Sequence, residues 1–223
     1  MKTKPSPKTK ILLVEDHHIV RQGIARMINA EADMEVSCEA SDAREALRQM
    51  AKSRPDLVVT DLSMSGMNGI EFLKHLKAQY PELPAVVLSM HDEALYAERA
   101  LRAGALAFVM KKESGEAVMT AIRKARCGEY YVSEKVGAGI FQKLLNSKRP
   151  AESPFAQLSD RELEVFELLG RGRGSRQIAE ELHLSVKTVD THRTHIKEKL
   201  GLRSAPEMIR RAVQWVERES SGF

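Results

Sequence analysis

The chain has 223 residues, 43% hydrophobic and 30% charged, a globular composition with room for one large domain or two small ones. Two cysteines are too few for a disulfide framework or a Cys-rich zinc site, and no apolar run approaches the roughly 18 residues of a membrane span. The basic start MKTKPSPKTK lacks the apolar stretch of a signal peptide, so a reducing, cytoplasmic compartment is expected.

The formal charge of +4 is unevenly placed. Residues 1–10 carry four Lys and no acid, residues 11–120 carry 12 basic against 17 acidic residues, residues 121–150 carry 7 against 2, and residues 151–223 balance at 12 against 12. An acidic body joined to a basic connector predicts two domains. Within the balanced tail, residues 171–203 hold eight basic and four acidic residues. That suits nucleic acid, and it suits an ordinary solvated surface as well.

In chain order, residues 1–9 read as a disordered basic tail. Short apolar runs follow: ILLV at 11–14, DLVVT at 56–60, AVVLS at 85–89 and LAFVM at 106–110. Each is continuous, as in a strand buried on both faces. MEVSCEA at 34–40 partly alternates and reads as a less buried strand. Helical patterns lie between them, near 18–30, 42–52, 69–78, 93–103 and 114–127. Asp42 and Glu45 suit a capping pair, and Gly104 suits a helix stop. The β-α alternation occurs five times, which predicts a doubly wound (flavodoxin-like) α/β fold with a five-stranded parallel sheet. Residues 128–154 read as a linker, with a short helix in VGAGIFQKLL. Beyond it the pattern is all-α, with four helices near 159–170, 175–182, 186–200 and 204–218. Ser159, Ser175, Ser185 and Ser204 are the expected N-caps.

In an open parallel sheet, ligands bind at the carboxyl ends of the strands. Glu15 and Asp16 follow the first strand, Asp61 follows the third, Ser89 ends the fourth and Lys111 the fifth. Clustered carboxylates repel, and a hard cation such as Mg²⁺ relieves that repulsion. A carboxylate is also a nucleophile able to form an aspartyl phosphate, with metal, lysine and hydroxyl as counter-groups. Asp61 alone reads equally well as a helix cap, and Phe108 alone as core. The four strand ends taken together point to a phosphoryl-accepting pocket.

The motifs VED at 14–16, VVTDLSMSGMNG at 58–69, VVLSM at 86–90 and AGALAFVMKK at 103–112 resemble the receiver domain of a two-component response regulator over residues 10–127. The resemblance implies Asp61 as phosphoacceptor, with Glu15, Asp16, Asp61 and the Ser63 carbonyl as the Mg²⁺ site. It implies Ser89 and Lys111 as phosphoryl-stabilising groups, and Phe108 as a switch aromatic that packs inward when Ser89 moves. Ser65 stands where the family usually carries Pro, and Lys112 where many members do.

The helices 175–182 and 186–200, joined by HLS, form a helix-turn-helix. Val186, Val189, Ile196 and Leu200 recur at core spacing, leaving Lys187, Asp190, Thr191, Thr194 and Lys197/Glu198 opposite. Asp190 either accepts from a cytosine amino group or pairs with Arg193 or Thr194 and orients them. LSDRELEVFELL at 158–169 and IAEELHLSVKTVDTHRTHIKEKLGL at 178–202 resemble the four-helix DNA-binding domain of the NarL/FixJ (LuxR-type) class over 155–219, leaving 220–223 as a tail. By that resemblance 186–200 is the recognition helix. Lys187, Asp190, Thr191 and Thr194 are then candidates for base edges, and Thr188, Arg193 and Lys197 for phosphates. Ile209, Ala212, Val213 and Val216 form an apolar stripe on the last helix. Some of them pack within the domain, and the exposed remainder pairs two copies.

GRGRG at 170–174 follows a helix and lacks the GK[ST] of a P-loop, so it reads as a turn. His183, His192 and His195 have no nearby cysteine and a spacing poor for zinc.

The two resemblances imply a transcription regulator rather than an enzyme. Its partners would be a sensor histidine kinase, promoter DNA with two half-sites, a second copy of the chain when phosphorylated, and RNA polymerase, with no membrane. The alternative is a phosphorylation-independent DNA-binding regulator whose receiver serves only for dimerisation or docking. A phosphatase of the aspartyl-phosphate type would need a second acid beside Asp61, and position 63 is Ser.

Overall fold

The computed structural model describes residues 8–64, 66–91, 93–145 and 154–220. The expectations for the tail at 1–7, for Ser65, for connector residues 146–153 and for the tail at 221–223 lie outside the described residues. The chain divides into two compact units, residues 1–142 and 143–223.

The first unit runs β1 (Thr9–Val14), α1 (His18–Ala30), β2 (Met34–Ala40), α2 (Ala43–Ser53), β3 (Leu57–Asp61), α3 (Gly69–Gln79), β4 (Ala85–Ser89), α4 (Glu93–Ala103), β5 (Ala107–Met110) and α5 (Gly115–Arg126). Its five strands are parallel in the order β2-β1-β3-β4-β5. β3, β4 and β5 are buried at every residue, which is why their sequences are continuous apolar runs. β2, at the sheet edge, alternates more. β1 starts at Thr9, inside the expected tail, because Thr9 is buried and in register with Met34.

Successive strand side chains point to opposite faces. Ile11, Leu13, Leu57, Val59, Val86, Leu88, Ala107 and Val109 share one core with Ile24 and Ile28 of α1 and Val118 and Ile122 of α5. The chain order reverses between β1 and β3, so the crevice at their carboxyl ends is the natural ligand site of this topology.

Local chemistry sets the helix ends. Asp42 caps α2 by accepting from Glu45 N, but the Glu45 carboxylate reaches back to Ser41 N rather than to Asp42. Asn68 and Ser114 cap α3 and α5. Gly104, at φ +115°, ends α4 in a region glycine alone enters freely. Past α5, Tyr131 forms a parallel bridge with Ala107, donating to Leu106 O and accepting from Phe108 N. The outer edge of β5 is thus covered there. α6 (Glu134–Leu145) follows and is longer than the short helix expected.

The second unit contains a 3₁₀ turn (Pro154–Gln157) and four helices: α7 (Asp160–Gly170), α8 (Ser175–Glu181), α9 (Val186–Lys199) and α10 (Ala205–Ser220). Ser159, Ser185 and Ser204 each accept from a first-turn amide. Ser175 does not cap α8. The N-cap is Gly174, and Ser175 is the first helical residue. Phe155, Phe166 and Trp215 pack with ring centroids 5.3–5.6 Å apart at the centre of this unit.

Candidate functional site

Asp61 ends β3 with 3% of its surface exposed. Its Oδ1 accepts from Leu62 N at 2.7 Å, and its Oδ2 accepts from Lys111 Nζ at 2.8 Å. Lys111 follows β5 and is held by its own amide, which donates to Ser89 O. The Lys111 ammonium also donates to Glu15 Oε2 at 2.6 Å. Burial pulls Lys111 down, but the charges and hydrogen bonds of Asp61 and Glu15 outweigh it and leave the lysine above its ordinary value. It therefore keeps its positive charge inside the pocket.

Glu15 is fully buried, and its other oxygen accepts from His17 N at 3.1 Å. The Asp16 Oδ1 atom is buried and makes no hydrogen bond. His17 Nδ1 lies 2.7 Å from it, close but without hydrogen-bond alignment. Donor atoms of Glu15, Asp16 and His17 lie within 4.8 Å of one another. Three carboxylates against one ammonium leave the pocket with two formal negative charges. A divalent cation matches that balance, and a buried carboxylate oxygen that makes no hydrogen bond is the kind of donor it takes.

Ser89 is fully buried at the end of β4, where its Oγ accepts from His91 N at 3.0 Å. His91 in turn bridges two loops of the rim, with Nε2 2.6 Å from Ser63 Oγ and its ring stacked on Tyr96 at 4.5 Å. Phe108 lies inside, 1% exposed. Gly69 lets α3 approach the acceptor loop closely: a Cβ there would stand 2.5 Å from Asp61 O and 2.6 Å from Leu62 Cα.

The structure brings Glu15, Asp16, Asp61 and Lys111 together, with Ser89 at the end of the next strand. The Ser63 side chain turns to His91. Sequence pattern alone does not single out His17, His91 or Arg21. The first was legible as a nitrogen donor next to two acids. The other two act through contacts distant in sequence.

In the second unit Val189 and Ile196 are fully buried, while Val186, in the first turn of α9, remains 41% exposed. Lys187, Asp190, Thr191 and Thr194 are exposed, and Thr188, Arg193 and Lys197 are half-buried. Asp190 accepts from Ser175 Oγ at 2.9 Å, and the same hydroxyl accepts from Arg193. That chain joins the start of α8 to the middle of α9 and orients Arg193. Thr191 and Thr194 donate their hydroxyl hydrogens to the carbonyls of Lys187 and Asp190. Each therefore offers an acceptor oxygen outward. Of the expected pairing stripe, Ile209 is 41% exposed, Val213 and Val216 are half-buried, and Ala212 is fully buried. Ala212 is thus internal: Gly170 lies against its main chain, and a second copy cannot reach it while the unit stays folded.

Behind this face, Glu162 closes a capping box with Ser159 and accepts from Lys199 Nζ at 2.6 Å. Burial pushes the Glu162 carboxyl up, but the bonds from Lys199 and Ser159 outweigh it and hold it below its ordinary value. A lowered folded value contributes stability that is complete above the unfolded value of about 4.3 and is lost as pH falls through the folded one. Glu162→Gln should therefore lower the melting temperature of this unit at pH 7 and flatten its decline on acidification. Fluorescence of Trp215, the chain's single tryptophan, reads both.

Two family models match. One is the response regulator receiver domain, over residues 11–123. The other is the luxR family of bacterial regulatory proteins, over residues 156–212. The chain is 36% identical over 210 residues to the oxygen regulatory protein NreC of Staphylococcus haemolyticus, covering 92% of this chain and 97% of that one. Among solved structures it is similar to the response regulator ChrA of a heme-sensing two-component system, at 29% identity and TM-score 0.52, covering 96% of this chain and all of that one. RcsB of Salmonella enterica serovar Typhimurium, solved on a promoter with the phosphomimetic BeF₃⁻, shares the fold at 23% identity and TM-score 0.61, covering 91% and 97%. Among the described residues no helix is long and apolar enough to cross a membrane.

Proposed function

Because the chain belongs to the two-component response regulators of the NarL/FixJ type, and is therefore a phosphorylation-regulated DNA-binding transcription regulator, we propose that Asp61 is its phosphoacceptor. The observation that carries this is the placement of Asp61 beside Lys111, at 2.8 Å, in a pocket with two further carboxylates, one of which, Asp16, has a buried oxygen that makes no hydrogen bond.

In the proposed reaction an Asp61 oxygen attacks the phosphorus held by a histidine of the sensor kinase. A P–O bond forms, and the P–N bond to the imidazole breaks. Glu15, Asp16, Asp61 and the Ser63 carbonyl are the proposed holders of Mg²⁺. When bound, Mg²⁺ supplies positive charge to the phosphoryl oxygens. Lys111 follows its partner Asp61 and neutralises one phosphoryl oxygen. Ser89, whose hydroxyl can donate while it accepts from His91, hydrogen-bonds another. Taking the Ser89 hydroxyl toward the phosphoryl group loosens its hold on His91 N, and so on the β4–α4 loop, with Phe108, on β5 opposite Val87, as the proposed switch aromatic. That is a local charge change coupled to a rearrangement of packing.

The output is promoter binding through α9. Thr188, Arg193 and Lys197 are assigned to phosphates and Lys187 to a base edge. Thr191 and Thr194 offer acceptor oxygens to base amino groups, and Asp190 orients Arg193 through Ser175. Ile209 and the exposed parts of Val213 and Val216 are the proposed pairing surface of two copies, which then meet two half-sites and RNA polymerase in the cytoplasm.

Selection from a random duplex pool, with and without beryllofluoride and Mg²⁺, tests the output. Enrichment of a paired half-site only with the phosphoryl mimic supports the reading, and equal enrichment without it contradicts it. On the selected site, Lys197→Ala should weaken binding similarly across related sequences and reduce the slope of log K against log[salt] by about one. A loss confined to one base position would instead make Lys197 a base reader.

A further inference from the structure

Arg21 stands on the second turn of α1 with its guanidinium largely sheltered, the side chain 15% exposed. Its Nη1 donates to the backbone carbonyl of Glu15 at 2.6 Å, and its Nε donates to Glu39 Oε2 on β2 at 3.1 Å. The Glu15 carbonyl lies where the chain leaves β1 for the turn into α1. The Glu15 amide is already tied to Ala40 O, and its side chain to His17 N and Lys111. With Arg21 on the carbonyl, both polar groups of the Glu15 main chain and both oxygens of its carboxylate are held.

That carbonyl belongs to the peptide plane linking Glu15 to Asp16. Its direction therefore sets where the Asp16 carboxylate stands, and Asp16 carries the buried oxygen without a hydrogen bond. We infer that Arg21 is a positioning residue for the cation site of this pocket. It acts through the Glu15 main chain and is itself anchored by Glu39. The inference rests on the proposed function, in which the pocket holds Mg²⁺.

Charge and position predict opposite signs here. The guanidinium is a positive group near a cation site, so on charge alone its removal tightens Mg²⁺ binding. On positioning, its removal loosens the Glu15–Asp16 turn and weakens binding. Lysine keeps the charge, but a single ammonium cannot repeat the fork that spans a carbonyl on one side and a carboxylate on the other. Positioning groups behind metal ligands typically change affinity by about 10–100-fold.

The experiment is calorimetric titration of the whole chain with MgCl₂, for wild type, Arg21→Lys, Arg21→Gln and Glu39→Gln, with melting in EDTA as a control on folding. Both Arg21 variants are expected to bind Mg²⁺ about tenfold or more weakly, and Glu39→Gln, which removes only the anchor, a few-fold more weakly. In acetyl phosphate labelling, the half-saturating Mg²⁺ concentration should rise while the rate at saturating Mg²⁺ stays within about twofold, a split that general destabilisation does not produce. Unchanged affinity in Arg21→Lys, or tighter binding in Arg21→Gln, overturns the inference and leaves the pocket reading intact. Wild type without measurable Mg²⁺ binding overturns the pocket reading, and the inference with it. Should the Arg21 variants melt below the assay temperature, Glu39→Gln decides: unchanged affinity there overturns the inference.

Discussion

Asp61→Asn should leave DNA binding at its basal level however much phosphodonor is present, whereas wild type should gain affinity by a coupling of about 5–150-fold. The substitution removes the Asp61–Lys111 ion pair and turns an amide NH₂ toward the ammonium, so melting of the variant is measured beside its binding. The asparagine side-chain oxygen can still accept from Leu62 N, and Lys111 keeps Glu15 as its second anionic partner. What disappears is the nucleophile and one of the pocket's negative charges, so phosphoryl gain and cation affinity fall together. The measurement is binding to the selected duplex with and without acetyl phosphate, for both proteins. An Asp61→Asn protein whose DNA affinity still rose with acetyl phosphate would place the acceptor elsewhere.

Gly170→Ala should destabilise the DNA-binding unit without touching any residue of α9. A Cβ at Gly170 would stand 2.5 Å from Ala212 O, 2.8 Å from Ala212 C and 2.6 Å from Val216 Cγ2. Two of those atoms are main chain of α10, at a residue that is fully buried, so a side-chain rotation cannot relieve the clash. α7 and α10 must move apart, at a cost of about 1–3 kcal/mol or more. A core of this size supplies only about 3–5 kcal/mol in all, and each kcal/mol moves the melting temperature of so small a unit by about 4–8 °C. Trp215 is 6% exposed and belongs to this unit, so its fluorescence melt should drop by roughly that amount per kcal/mol while phosphorylation of the other unit is unaffected. An unchanged Trp215 melt would mean the helices absorb the methyl group and the close approach is not tight in solution.

The strands and the pocket were legible because each depends on local pattern. Continuous apolar runs at 56–60 and 85–89 mean burial on two faces, and the polar residue at or just after the end of each run falls at one rim of a parallel sheet. Other features depended on partners far along the chain. Tyr131 pairs with β5 through a single bridge, and no alternation announces one residue. Ser175 looked like a cap, yet its hydroxyl serves Asp190 and Arg193 on the next helix. Ala212 had the spacing of an exposed stripe, but its burial follows from Gly170 on α7, which brings two main chains together. Arg21 is six residues from the carbonyl it holds, and its anchor Glu39 is on another strand. His91 reaches Ser63 across 28 positions. Helical periodicity assigns such residues to faces but does not name their partners.

The most direct test of the central claim is the intact mass of the purified chain after incubation with acetyl phosphate, with and without Mg²⁺, beside Asp61→Asn. The account predicts a gain of one phosphoryl group in wild type, dependent on Mg²⁺ and absent from the variant. An equal gain in the variant, or no gain in wild type together with no binding of beryllofluoride, would contradict it and leave the chain as a DNA-binding regulator whose first unit serves only for docking.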